Sequence, residues 1–257
     1  MIMREASKKP KKVILELGGK SPNIVFADCD MEAAVGGTLS SIFMNQGQMC
    51  TAESRLYVEE NIYDGFLKQL KEKTLALKIG DALDYQTSFG PLINNEHRLK
   101  VLALIEEAVK QGARIECGGK IPSQLKDGAY IEPTILSHVT PDMSIVKEEI
   151  FGPVLLVMKF SSENEAISLA NNSDYGLAAS VWSKDKEKAQ RVAKNLKCGT
   201  VWINTYGGFY NEAPYGGYKK SGFGRELGEE GFLEYTQTKH ICSDETPGGK
   251  PLVSSWF

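Results

Sequence analysis

A cysteine, Cys50, follows the polar, glycine-containing stretch Asn45-Gln46-Gly47-Gln48-Met49, and a carboxyl, Glu16, stands 34 residues upstream in the apolar run Val13-Ile14-Leu15-Glu16-Leu17. Together they offer a nucleophile and a proton acceptor. A thiol is populated as thiolate to a few per cent near neutral pH even at an unperturbed pKa of about 8.5. Gly47 lets backbone N–H groups come close enough to lower that value further. A carboxylate inside an apolar run is costly unless it is paired or neutralised. The raised pKa that neutralises it is also what a base working near neutral pH requires. Apolar residues at both parities around Glu16 predict burial of that run on both faces. Each group has a plainer reading too. A free cysteine is more often a buried structural thiol, and a strand glutamate can face solvent at a sheet edge.

The elements that must carry these groups alternate. Strands are predicted at 12–17, 54–58, 131–136, 154–160, 178–182 and 200–204, each rich in β-branched or aromatic residues and bounded by Gly, Pro or Asn. Helical spacing appears in Tyr63, Phe66, Leu67 and Leu70, and again from Leu99 to Val109 with Gly112 as a stop. Asp30 and Asn94 are predicted helix caps, since a short acceptor there satisfies free N–H groups of a first turn. Such alternation predicts an α/β fold with a substantially parallel sheet flanked by helices. The basic cluster Arg4, Lys8, Lys9, Lys11 and Lys12 reads as a solvated loop before the first strand.

Several strings together resemble the aldehyde dehydrogenase superfamily: Glu16-Leu17-Gly18-Gly19-Lys20-Ser21-Pro22, Gly47-Gln48-Met49-Cys50, Gly90-Pro91-Leu92-Ile93, Lys147 to Pro153, Asn171 to Leu177, and Pro214 to Lys219 leading into Ser221 to Glu226. They occur in the family's order. The resemblance implies a thiohemiacetal formed on Cys50, hydride loss to NAD or NADP, and a thioester that water activated by Glu16 hydrolyses, with Asn204 supporting the geometry. It implies Glu149, Phe151, Leu17 and Gly18 at the nicotinamide end of the cofactor, and Tyr206, Phe209 and Tyr215 at the aldehyde entrance. Tyr210 clusters with them in sequence. Without the resemblance, the segment around Glu149 and Phe151 would read as an exposed turn, and the aromatic loop as plain packing. Aromatic faces suit an apolar aldehyde or, by cation–π attraction, a trimethylammonium aldehyde such as that of betaine, to which Glu212 adds negative charge.

By the same resemblance the chain corresponds to the family's C-terminal half, with the nucleotide-binding domain largely absent. Residues 1–18 would be a remnant of the cofactor domain and residues 19–218 the catalytic domain. Residues 219–257 would hold a helix (221–233), an oligomerisation strand (235–243), a linker (247–251) and a Trp-Phe end that docks on a subunit. The expected partners are a small aldehyde and either identical subunits or a complementing N-terminal half. Alone, the chain is expected to oxidise aldehydes poorly or not at all. An interaction fragment and a slow cysteine esterase are the competing expectations.

Composition agrees with an ordinary globular chain, at 257 residues with 42% hydrophobic and 25% charged residues. A net charge of −3 gives no electrostatic footprint for nucleic acid. No apolar stretch approaches the roughly 20 residues of a membrane span, and the N-terminus lacks the apolar core of a signal peptide. A cytoplasmic protein is expected. Five cysteines without Cys-x-x-Cys spacing and three scattered histidines argue against disulfides and against a metal site. Cys29, Cys117, Cys198 and Cys242 are expected to be structural.

Overall fold

Runs of Val, Ile, Leu and Phe at both parities bury two faces of one sheet, and the computed structural model, which describes residues 1–243 and 245, covers both with helices. The strands are β1 (Leu15–Glu16), β2 (Pro22–Val25), β3 (Arg55–Glu59), β4 (Arg114–Cys117), β5 (Thr134–Ser137), β6 (Val154–Phe160), β7 (Tyr175–Gly176), β8 (Ala178–Trp182), β9 (Thr200–Ile203), β10 (Tyr218–Lys219) and β11 (Gly222–Phe223). Seven of them form the main sheet in the order β4-β5-β6-β3-β2-β8-β9. All its pairs are parallel except β4 with β5. The helices are α1 (Ile2–Ala6), α2 (Met31–Phe43), α3 (Tyr63–Leu75), α4 (Asn95–Lys110), α5 (Ser144–Lys147), α6 (Glu163–Asn171), α7 (Lys186–Asn195) and α8 (Gly228–Leu233).

Alternation along β6 divides the core. Val154, Leu156 and Met158 join Val101 and Ile105 of α4 and Ala189 and Val192 of α7 on one face. Leu155 and Val157 join Val35 of α2 and Phe66 and Leu70 of α3 on the other. Both expected caps form: Asp30 accepts from the Ala33 N–H at 3.1 Å and Asn94 from the His97 N–H at 2.8 Å.

Four expectations change. The run carrying Glu16 is only two residues of strand, paired along one edge with β11 outside the main sheet, so Glu16 is exposed and Leu17 is 47% exposed rather than enclosed on both faces. The expected helix over 221–233 shrinks to α8. Gly222 and Gly224 adopt φ of +129° and +83°, a Cβ on Gly222 would lie 1.8 Å from the Leu15 carbonyl oxygen, and the segment pairs as β11 instead. Residues 235–243 form no strand, since they find no ladder partner among the described residues of this chain. The N-terminal basic segment begins with α1, and Lys12 reaches Glu234 at 2.7 Å. The linker and the Trp-Phe end lie outside the described residues. Among the described residues no helix is long and apolar enough to cross a membrane.

Candidate active site

The loop that ends in Cys50 is shaped by consecutive left-handed residues. Asn45, Gln46 and Gly47 take φ of 49°, 55° and 70°, a conformation that costs energy in non-glycine residues and concentrates at functional turns. Asn45 stabilises the turn by donating from Nδ2 to the Gln48 carbonyl at 3.0 Å, and Gln48 Oε1 accepts from the Ile93 N–H at 2.9 Å. Glycine is required at 47, because a Cβ there would sit 2.3 Å from the Gly152 carbonyl oxygen. Thus the loop that ends in Cys50 packs backbone to backbone against the segment that carries Glu149 and Phe151. Gly19 makes a second such contact, since a Cβ there would lie 2.2 Å from the Cys50 carbonyl oxygen.

Cys50 is exposed, with Sγ 3.7 Å from the Tyr215 hydroxyl. Glu16 reaches the residue after Tyr215: a Cβ on Gly216 would lie 3.0 Å from Glu16 Oε1. Partial desolvation raises the Glu16 pKa, the Gly217 amide opposes the rise, Glu226 adds to it, and Arg225 opposes it. The expected upward shift is therefore found on an exposed carboxyl. Burial and the neighbouring Cys50 and Glu16 push the Tyr215 hydroxyl far above the ordinary tyrosine range, so it stays a neutral donor.

Glu149 is half-buried, and its Oε1 accepts from the Gly19 N–H at 3.1 Å. Its carboxylate occupies the space a Cβ on Gly18 would need, 2.1 Å from Oε2. Phe151, 41% exposed with φ 53°, is held by His97, whose Nε2 lies 2.6 Å from the Phe151 carbonyl oxygen and whose ring stands edge-on at 6.2 Å. Leu17, Gly18, Glu149 and Phe151 therefore present an apolar edge and a carboxylate beside the cysteine loop. That donor set suits a ring lying against Phe151 and a ribose diol meeting Glu149.

Tyr206, Phe209 and Tyr215 gather with Trp202 as their hub. Trp202 stands edge-on to Tyr206 at 5.0 Å and to Phe209 at 5.6 Å, and Phe209 to Tyr215 at 5.3 Å. The Trp202 Nε1–H donates to Gly208 at 2.9 Å. Tyr206 meets Thr51, beside Cys50, hydroxyl to hydroxyl at 3.0 Å. Tyr210 stays exposed and joins none of these ring pairs. Asn204 is not aimed at the thiol. With φ 54° it accepts from the Ser183 N–H and donates to the Ser183 carbonyl, both at 2.9 Å, and so fixes the exit of β9.

Sequence reasoning missed His97, Thr51, Trp202, Lys20 and Glu53. Lys20 is buried, and desolvation, then Arg55, depress its ammonium pKa well below the usual range against the pull of Glu149 and Glu148. Among the other thiols, Cys29, Cys117 and Cys198 are buried, and desolvation pushes them to about 11, 11 and 12. Cys242 is exposed, which corrects the structural role expected for it.

A largely parallel α/β sheet here carries an exposed thiol on a tightly packed loop, with two carboxyls and an aromatic cluster in the neighbouring segments. The aldehyde dehydrogenase family model matches residues 1–241, and the chain belongs to that family. It is 51% identical to betaine aldehyde dehydrogenase of Bacillus subtilis over its whole length, covering 52% of that protein. Over 90% of its length it is 48% identical to retinal dehydrogenase 2 of Gallus gallus, covering 44% of that protein. A crystal structure of betaine aldehyde dehydrogenase from Staphylococcus aureus in complex with NAD+ superposes with a TM-score of 0.93 at 46% identity, covering all of this chain and 50% of that one. The chain spans about half the length of the relatives it matches.

Proposed function

We propose that this chain carries the thiol chemistry of an NAD(P)-dependent aldehyde dehydrogenase, with Cys50 as the nucleophile. The observation that carries this reading is the approach of both Cys50 Sγ, 3.7 Å from the Tyr215 hydroxyl, and the Glu16 carboxylate, next to Gly216, to the Tyr215-Gly216 dipeptide. The Cys50 thiolate attacks the aldehyde carbonyl carbon and forms a C–S bond. The Tyr215 hydroxyl, a neutral donor, lies within reach of the oxygen on which charge develops. A nicotinamide cofactor, when bound, would supply the hydride acceptor, so that Cys50 is left carrying a thioester. Glu149 is the group that would hold the ribose, with Phe151 and Leu17 against the ring. Glu16, its pKa raised, takes a proton from the water that attacks the thioester, releasing a carboxylic acid and the thiol. Asn204 acts at one remove, by fixing the exit of β9 from which Tyr206 and Phe209 extend.

The substrate is proposed at the level of an aldehyde. Aromatic faces around Trp202 accept an apolar chain and, by cation–π attraction, a trimethylammonium group alike. Cytoplasmic location and association of identical subunits through residues 235–243 belong to the same proposal. Oxidation is assigned to the assembly this chain forms part of. The acyl half of the reaction needs only Cys50, Glu16 and water. The test follows p-nitrophenyl acetate cleavage by the chain, and NADH formation from an aldehyde and NAD with a complementing N-terminal half supplied. Loss of both in Cys50→Ala is expected, and retention of either would overturn the reading.

A further inference from the structure

Three residues after Cys50, Glu53 is 0% exposed, and among the described residues it has no cationic partner. Its carboxyl meets Ser180 Oγ of β8, its own N–H donates to the Ser41 carbonyl of α2 at 3.1 Å, and Oε2 finds no partner. Ser180 Oγ also lies 3.2 Å from the Thr205 carbonyl oxygen, which can only accept. Ser180 has one hydroxyl proton. If that proton goes to Thr205, the Glu53–Ser180 contact needs a second proton, and only a carboxylic acid can supply it. Ser41, the other hydroxyl beside Glu53, is committed in the same way, donating to the Thr38 carbonyl at 3.0 Å. An ionised Glu53 would therefore draw the Ser180 proton away from the Thr205 carbonyl and, with Ser41 committed to Thr38, leave one charged and fully buried oxygen bare. That arrangement is far costlier than a neutral acid.

We propose that Glu53 is a positioning residue for Cys50, a neutral carboxylic acid whose proton closes a ring of contacts through Ser180, Thr205, Tyr206 and Thr51 around the nucleophile loop. Thr51 grips Tyr206 directly at 3.0 Å, while Glu53, two residues on, grips the adjacent Thr205 through Ser180. The loop is thus held at two points against the segment that carries the aromatic cluster. Losing the proton opens the Ser180–Thr205 link and frees one of those points.

The surrounding groups leave Glu53 to titrate alone. Cys198, ahead of β9, and Tyr206, after it, are both pushed up to about 12 and stay neutral at ordinary pH. Arg55 directs its N–H groups to Lys20, Tyr57, Leu169 and Ala170. Burial holds the Glu53 carboxyl up to about 8, in keeping with the proton count.

The inference rests on Cys50 being the nucleophile, and its test separates the two. Infrared difference spectra of the chain between pH 6 and 10 should show a protonated-carboxyl C=O band that disappears with a midpoint near pH 8 and is missing in Glu53→Gln. Acylation of Cys50 by p-nitrophenyl acetate at pH 7 should fall about tenfold in Glu53→Ala and stay within about twofold in Glu53→Gln. The Gln variant should also lose the alkaline decline that tracks the band. No such band at pH 6, a band unchanged in Glu53→Gln, or a Gln variant as slow or as unfolded as the Ala variant would overturn the proposal. A native Cys50 inert to iodoacetamide while the Glu53 band titrates would instead overturn the catalytic reading alone.

Discussion

Gly19→Ala concentrates the consequences of this packing in one methyl group. The new Cβ would lie 2.2 Å from the Cys50 carbonyl oxygen and 3.3 Å from Leu177 Cβ. Real Cβ atoms do not approach closer than 3.0 Å, so the Cys50 backbone must retreat by at least 0.8 Å from its 2.2 Å position. It has little freedom to do so, because Gly47 on the same loop is already pressed against the Gly152 carbonyl. Overpacking of this kind costs about 1–3 kcal/mol, or roughly 2–12 °C in melting temperature for a chain of this size. Displacing a nucleophile by about 1 Å costs on the order of a hundredfold in rate. Thermal melts and p-nitrophenyl acetate acylation should therefore both change. Gly18→Ala provides the contrast, since its Cβ meets the movable end of Glu149 at 2.1 Å. It should melt close to the parent while losing the Glu149–Gly19 hydrogen bond. A Gly19→Ala chain with parental melting and parental acylation would refute the claim that Gly19 and Cys50 are in backbone contact.

Further outcomes follow from buried groups and open helix positions. Between pH 4.5 and about 8 the folded chain keeps a proton on Glu53 that the unfolded chain has released, so this group makes stability fall as pH rises through that window and has no further effect above it. Glu53→Gln removes that slope, and denaturant titrations should show the variant gaining on the parent by up to about 4 kcal/mol between pH 5 and 8. Arg55 donates to the carbonyls of Lys20, Leu169 and Ala170 and to the Tyr57 hydroxyl. Arg55→Ala takes the guanidinium donor from the buried Lys20 and Ala170 carbonyls, while Leu169 keeps the Tyr57 hydroxyl at 3.2 Å, and should cost about 3–5 kcal/mol in urea unfolding, with no rescue by Arg55→Lys. Gly65 in α3 has open space where a Cβ would go, so Gly65→Ala should stabilise by about 0.4–1 kcal/mol in the same assay.

Much of this was legible in the residues. Runs of β-branched and aromatic residues locate β6 and β8 to the residue and β3, β5 and β9 within a few, and the Asp30 and Asn94 caps form as their chemistry dictates. β2 escaped because Pro22 and Asn23 make a four-residue run look like a loop. Proline is tolerated as the first residue of a strand, and Asn23 donates from Nδ2 to the Thr38 hydroxyl at 3.0 Å. β4 escaped because Arg114 and Glu116 belong to an exposed edge. Cys50, Glu16 and Glu149 are singled out as candidates by their surrounding motifs, and the structure brings their segments together. The enclosure expected of Glu16 failed because hydrophobic parity reports the need for a cover and not which element supplies one. Glu53 carries no local signal at all, since its burial depends on Ser180 and Thr205, more than a hundred residues away.

The central claim is that one thiol of five attacks carbonyl carbon. Brief reaction of the chain with p-nitrophenyl acetate, acid quench and peptide mass spectrometry would test it directly. The account predicts an acetyl group on the peptide holding Cys50, removed over time in the parent and retained longer in Glu16→Gln. Acetyl on Cys242, the other exposed thiol, with Cys50 unmodified would contradict it.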